Sequence, residues 1–286
     1  MVASGTYGWG EEAESLIDLD SLGAFVTKTV TLNPRQGNPS PRIWETPSGL
    51  LNSIGLQNNG LNEFLKNSLP LFKKYRVPLV VSIAGETIDE FLDLAMTLES
   101  QSRVDALEIN VSCPNVKEGM LFGTSPKLTG ELVRKLRKAC SKTMIVKLTP
   151  NTGEIKEVAR AAEEEGADCL ALVNTFLGMA IDPRTRRSRL ATTFGGLSGP
   201  AIKPLALRLV YEVSKAVKTP VIGMGGIISG EDALEFIIAG AYAIAVGSAS
   251  FRRPDAPIKV LEELESILDE LGIESLEEIR GTFKDG

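Results

Sequence analysis

Cys113 stands in Asn110-Val-Ser-Cys-Pro-Asn115, a polar loop stiffened by proline. A thiol in such a setting can ionise and accept a proton, which makes it a candidate general base. The chain contains no histidine, so His-based triads, His metal sites and His acid–base pairs are excluded. The other cysteines, Cys140 and Cys169, read as small buried apolar residues. The spacing of the three gives no CxxC pair, disulfide framework or iron–sulfur ligand set, and no metal site is expected.

Two lysines interrupt apolar runs. Lys28 lies in Phe25-Val-Thr-Lys-Thr-Val30 and Lys147 in Met144-Ile-Val-Lys-Leu148. A lysine inside a buried strand is costly unless it meets an anion, and an electron-rich ring or a substrate carboxylate would serve. Four asparagines, Asn52, Asn110, Asn115 and Asn174, fall at strand ends or in a long loop. Their amides offer donors and acceptors that suit a flat heterocycle with alternating N–H and C=O groups. Finally, Gly223-Met-Gly-Gly226 and Gly247-Ser248 follow two late apolar runs. Glycines there let backbone N–H groups approach a phosphate, whether of a phosphosugar or of FMN. The spacing is not the dinucleotide fingerprint.

These residues need a scaffold that brings strand ends together. Short apolar runs at Val2–Ser4, Ala24–Val30, Leu79–Ala84, Ala106–Val111, Met144–Thr149, Cys169–Asn174, Val221–Met224 and Ala243–Val246 read as parallel strands covered on both faces. Between them the spacing predicts helices at Asn62–Lys74, Ile88–Glu99, Leu128–Ala139, Gly153–Glu165, Ile202–Val217, Gly230–Ala239 and Ile258–Leu271. Eight strands alternating with helices fit a single α/β domain over residues 1–286, a (β/α)8 TIM barrel, better than an open doubly wound sheet. Long loops are expected at Thr31–Leu61, Ser112–Lys127 and Thr175–Gly199, all after the C-terminal ends of strands, where barrels carry their chemistry. The chain begins almost inside its first strand, so no preceding segment is expected to close the barrel's N-terminal end.

The balance of 31 basic and 37 acidic residues, net −6, argues against nucleic acid or an anionic membrane as the main partner. The longest apolar stretch, Phe236 to Val246, is broken by Gly240 and too short to span a bilayer. No signal peptide is visible, and a cytoplasmic location is expected.

Taken together, Asn110-Val-Ser-Cys-Pro-Asn115, Asn52-Ser-Ile-Gly-Leu-Gln-Asn58, Val26-Thr-Lys-Thr29, Val146-Lys-Leu-Thr-Pro150, Val173-Asn-Thr175, Gly195-Gly-Leu-Ser-Gly-Pro-Ala-Ile-Lys-Pro204 and Gly223-Met-Gly-Gly226 resemble the dihydroorotate dehydrogenase family over essentially the whole chain. Cysteine in the Ser-Cys-Pro-Asn loop resembles the class 1 members. Glu118-Gly-Met-Leu-Phe-Gly-Thr-Ser-Pro126 and the tail Ile273-Glu-Ser-Leu-Glu-Glu-Ile-Arg280 look most like the class 1B catalytic subunit.

The resemblance implies oxidation of dihydroorotate to orotate in pyrimidine biosynthesis on one non-covalent FMN. Cys113 would take the C5 proton as hydride leaves C6, Lys147 would sit by the flavin N1–C2 edge, and Lys28 would bridge flavin and substrate. Asn52, Ser53, Ile54, Gly55, Leu56, Asn110, Asn115, Asn174 and Thr175 would hold orotate. Ser4, Thr29, Asn110, Val173, Gly199, Gly225, Gly226, Gly247 and Ser248 would hold FMN, with Ser82 beside it where relatives often carry asparagine. The class implies a homodimer in a heterotetramer with a partner subunit carrying FAD and a [2Fe–2S] cluster, through which electrons reach NAD. It also implies a short segment ahead of the first strand that is missing here.

Other readings fit some of the same residues. A class 1A-type enzyme would use fumarate instead. A phosphate-binding barrel lyase or isomerase explains the glycines but not Cys113 or the asparagines. A non-catalytic flavoprotein would keep the phosphate loops but need no base.

Overall fold

The pattern of the strand Ala106–Asn110 shows why this sequence forms a barrel. Leu107 and Ile109 point one way and Ala106, Glu108 and Asn110 the other, and all five are buried. Burial on both faces is the condition of a parallel strand with helices outside and a second packed layer inside. The structure, a computed structural model, describes residues 1–111 and 119–284.

The strands in chain order are β1 (Phe25–Val26), β2 (Ile43–Thr46), β3 (Gly49–Asn52), β4 (Leu79–Ile83), β5 (Ala106–Asn110), β6 (Thr143–Lys147) and β7 (Cys169–Leu172). They continue with β8 (Phe176–Gly178), β9 (Ile181–Asp182), β10 (Arg187–Ser188), β11 (Gly195–Ser198), β12 (Val221–Met224) and β13 (Ala243–Ala245). Seven of them form one parallel sheet in the order β1-β4-β5-β6-β7-β12-β13. Residues Met1–Ala3 join its two edges. Val2 bridges Val246 in parallel, and Ala3 N–H donates to Val246 O at 2.9 Å. On the other side the Ser4 hydroxyl donates to Thr27 O at 2.8 Å.

The ring is filled, not hollow. Ala3, Val26, Val80, Ala106, Ile145, Ala171, Ile222, Met224 and Ala245 form a separate buried cluster with a member from each of the eight positions around it. Small and branched residues share the space, as a narrow interior requires. This is the (β/α)8 barrel the alternating pattern predicts. The helix over Ile88–Glu99 matches its expected bounds and is capped by Thr87. That over Ile155–Glu164 buries Ile155, Val158, Ala159 and Ala162 and is followed by Gly166 at φ 101°.

Two expectations need correction. The loops Thr31–Leu61 and Thr175–Gly199 are not irregular: they pair with each other in a four-stranded antiparallel sheet, order β2-β3-β11-β8. Asn52 lies opposite Gly196 and Leu50 opposite Ser198. The predicted single helix Asn62–Lys74 is three short turns, Gly60–Glu63, Phe64–Ser68 and Leu69–Lys74, with different hydrogen-bond spacing. Pro70 has no N–H to continue a regular ladder. Among the described residues no helix is long and apolar enough to cross a membrane.

Candidate active site

The C-terminal ends of the barrel strands and the antiparallel sheet enclose a cavity of about 420 Å³. That is within the usual range for a small-molecule site. One wall is backbone. Gly225 and Gly226 continue from β12, Gly247 and Ser248 follow β13, and Gly199 closes the corner. Gly226 has φ 78°, a left-handed conformation that glycine adopts freely. Among the described residues the N–H groups of Gly225, Gly226, Gly247 and Ser248 meet no protein acceptor. The loop that carries Gly226 is fixed from outside. Lys203 Nζ donates to Asp232 Oδ1 at 2.6 Å and to Glu235 Oε1 at 2.9 Å, and Asp232 Oδ2 accepts from Ile228 N–H at 2.8 Å.

The rest of the wall is made of side chains from the strand ends. Thr29 Oγ1 is its hub, 3.3 Å from Ser4 Oγ and 3.0 Å from Ser82 Oγ, and it accepts from Asn110 Nδ2 at 3.2 Å. Asn174 Nδ2 donates in turn to Asn110 Oδ1 at 3.4 Å. Lys28 and Lys147 both line the cavity. Burial holds the Lys28 ammonium below the ordinary lysine range, with Glu12 opposing the shift and Arg42 adding to it. Lys147 Nζ lies 3.6 Å from Glu108 Oε1.

The lid is the segment after β3. Asn52 Nδ2 donates to Gly196 O at 3.3 Å, tying the two long loops together over the cavity. Asn58 secures the far end: its Oδ1 accepts from Thr31 N–H and Gly60 N–H, and its Nδ2 donates to Leu56 O at 2.7 Å. This holds Leu56 at φ 56° with Ile54 and Gly55 on the cavity wall.

The strand and loop reading thus places Ser4, Lys28, Thr29, Asn52, Ile54, Gly55, Leu56, Asn110, Lys147, Val173, Asn174, Thr175, Gly199, Gly225, Gly226, Gly247 and Ser248 around one cavity. Ser82 does not line it, but stands behind Thr29. Ser53 does not line it either; its hydroxyl is buried with no hydrogen-bond partner among the described residues. Cys113 and Asn115 lie outside the described residues. Burial pushes the thiol of Cys140 up to about 11 and that of Cys169 up to about 12, which suits the inert part given to both.

Sequence reasoning missed Arg42. It lines the cavity, and its guanidinium donates to Gln57 Oε1 and, at 3.4 Å, to Asn38 O. It sits in the same long loop as Asn52, which was its only signal. It also missed Glu108, although a charged residue inside an apolar strand was the signal that singled out the lysines.

Among the described residues, the ionisable residues lining the cavity are Lys28, Arg42 and Lys147, all basic, in a chain of net charge −6. A positive, partly enclosed site with free amides at one end and paired amide side chains at the other selects an anionic, hydrogen-bonding ligand. FMN passes this test: the unpaired amides suit its phosphate, and the amide, hydroxyl and ammonium groups suit the polar edge of its ring.

A family model described as Dihydroorotate dehydrogenase matches residues 1–268. The chain is 52% identical over 285 residues to a protein of Thermoanaerobacter pseudethanolicus named dihydroorotate dehydrogenase B (NAD(+)), catalytic subunit, covering 99% of this chain and 94% of that one. Proteins of the same name from Trichlorobacter lovleyi and Thermodesulfovibrio yellowstonii are 51% and 50% identical, over 99% and 100% of this chain and 94% of each relative. The family match takes in every residue that lines the cavity, from Ala3 to Phe251, and with it the chain belongs to the dihydroorotate dehydrogenase family.

Proposed function

We propose that this chain oxidises dihydroorotate to orotate with bound FMN, as the catalytic subunit of an NAD-linked enzyme of pyrimidine biosynthesis. The observation that carries the reading is the single cavity in which a wall of unpaired backbone amides faces three cations and a chain of asparagine amides. Membership of the family and the shared name of its relatives support it.

FMN supplies a two-electron acceptor for the hydride that leaves substrate C6. The amides of Gly225, Gly226, Gly247 and Ser248 hold its phosphate, with Gly199, Val173 and Ser4 around it. Thr29, backed by Ser82, and Asn110 orient the ring edge. Lys147 would supply positive charge that favours an electron-rich reduced ring. Lys28 and Arg42 would attract the substrate carboxylate, and Lys28 would contact both ligands. Asn52, Asn174, Thr175 and the Ile54–Leu56 backbone fix the pyrimidine face, with Ser53 shaping that backbone from behind. Cys113 is the base that removes the C5 proton, and Asn115 completes the amide set. Both assignments rest on the Asn110-Val-Ser-Cys-Pro-Asn115 motif. Among the described residues, the ionisable groups that line the cavity are the lysine and arginine side chains Lys28, Arg42 and Lys147.

The words "catalytic subunit" in the relatives' name imply a partner subunit. In this reading the partner carries FAD and a [2Fe–2S] cluster, the chain is a single FMN-binding domain that pairs with a second copy, and the assembly is a cytoplasmic heterotetramer. The test is anaerobic mixing of the FMN-loaded chain with dihydroorotate. Loss of the yellow flavin absorbance with formation of orotate is expected. A chain that binds no flavin, or whose bound flavin is untouched by dihydroorotate, refutes the reading.

A further inference from the structure

The barrel interior holds a charged group that the proposed chemistry leaves unused. Glu108 faces inward from β5 and is 2% exposed. In the β5–β6 register it lies opposite Ile145, whereas Asn110 lies opposite Lys147. Glu108 is therefore one pleat below Lys147, one pleat above Ala106 and level with Ile145, at the edge of the apolar plug to which both belong. The two side chains are only 3% and 7% exposed, and Lys147 Nζ approaches Glu108 Oε1 at 3.6 Å. No hydrogen bond reaches that oxygen from the described residues. Lys147 lines the cavity and Glu108 does not.

A carboxylate buried away from water is strongly unfavourable unless a counter-ion and hydrogen bonds replace the water. Glu108 has the counter-ion, yet the contact is longer than a hydrogen bond. Oε1 of Glu108 is thus incompletely satisfied, and the charge it carries acts through a medium that screens poorly. The ammonium of Lys147 has this anion on one side and the ligand cavity on the other. Glu108 offsets part of the positive field that Lys147 presents to the cavity.

We propose that Glu108 is a positioning residue for Lys147, holding the ammonium at the cavity wall and limiting the positive field it presents to a bound flavin. This rests on the reading that FMN lies beside Lys147. Positive charge next to the ring favours its electron-rich reduced form over the oxidised form. The anion behind Lys147 works against that preference and keeps the reduced flavin from being held too tightly to hand its electrons on.

The experiment compares the affinities of the wild-type chain and Glu108→Gln for oxidised FMN and for photoreduced FMN, titrated anaerobically by absorbance and fluorescence. Glutamine keeps the shape and an acceptor for Lys147 and removes the charge. The ratio of reduced to oxidised affinity is expected to rise by about tenfold, equivalent to about +30 mV for a two-electron couple. Glu108→Asp, which keeps the charge, is expected to stay near the wild-type ratio. In a Lys147→Gln background Glu108→Gln is expected to change the ratio little, because the ammonium that Glu108 positions and offsets is gone. If Glu108→Gln does not fold, Glu108→Met tests the same loss of charge. Equal weakening of both forms with an unchanged ratio would show a purely structural role and overturn the inference, as would a fall in the ratio. A wild-type chain that binds neither form overturns the flavin reading itself, and this inference with it.

Discussion

Replacing Gly226 by alanine tests the glycine wall at its most constrained point. A Cβ on Gly226 would lie 2.8 Å from both Lys203 Cβ and Lys203 N and 2.9 Å from Gly199 O. Two of these atoms are backbone, and Lys203 is held by Asp232 and Glu235, so the neighbours cannot yield cheaply. The residue also has φ 78°, where a non-glycine residue costs about 1–2 kcal/mol. Expressed as stability, that is a fall in Tm of roughly 2–8 °C for a chain near this size. The larger effect is on the ligand. The Gly226 amide must move to relieve the contact, and a hydrogen bond to a charged group contributes about 1.5–3 kcal/mol. FMN affinity should therefore fall by roughly 10–150-fold. Gly23→Ala is the control. Gly23 precedes β1, does not line the cavity, and its Cβ would meet nothing within 4 Å, so FMN affinity should stay within about threefold of wild type. The assay is quenching of flavin fluorescence on titration, with thermal unfolding measured in parallel. Unchanged FMN binding in Gly226→Ala, or an equal loss in Gly23→Ala, would refute the argument that this wall works through its backbone amides.

Cys113→Ser should slow reduction of bound FMN by dihydroorotate by about 10²–10⁴-fold while FMN and orotate still bind, because a hydroxyl is a far weaker acid than a thiol. Anaerobic stopped-flow measures this, and Cys140→Ser and Cys169→Ser should not share the defect. The isolated FMN-loaded chain should reduce NAD poorly and gain that activity only with an electron-transfer partner. Efficient NAD reduction by the chain alone would contradict the role given to the partner, and efficient use of fumarate would assign a class 1A acceptor. Glu99 is held down to about 2, chiefly by bonds from the Cys140 thiol and the Ser141 hydroxyl. A carboxyl held below its ordinary value stabilises the fold above about pH 4.5, and that contribution is lost as pH falls toward 2. Glu99→Gln should thus be less stable at neutral pH and lose less stability between pH 4.5 and 2, as acid titration followed by circular dichroism would show.

The features legible in the sequence are those with a local signal. Strand order, helix order and barrel class follow from short apolar runs and periodic stripes, because burial on one face or two writes itself into neighbouring residues. The two lysines in apolar runs and the paired glycine loops are visible for the same reason: each is an unusual residue type against its immediate background. Tertiary structure alone decided what covers these strand ends. β3 and β11 pair across a separation that puts Asn52 beside Gly196, 144 residues away, and no periodicity within either loop announces the other. Arg42 enters the cavity only because that sheet folds over the mouth. Glu108 and Lys147 are each odd in their own strands, but the one-pleat offset that makes them partners belongs to the register of β5 against β6. Register and loop pairing depend on the summed packing of distant segments, so the chain's local preferences do not contain them.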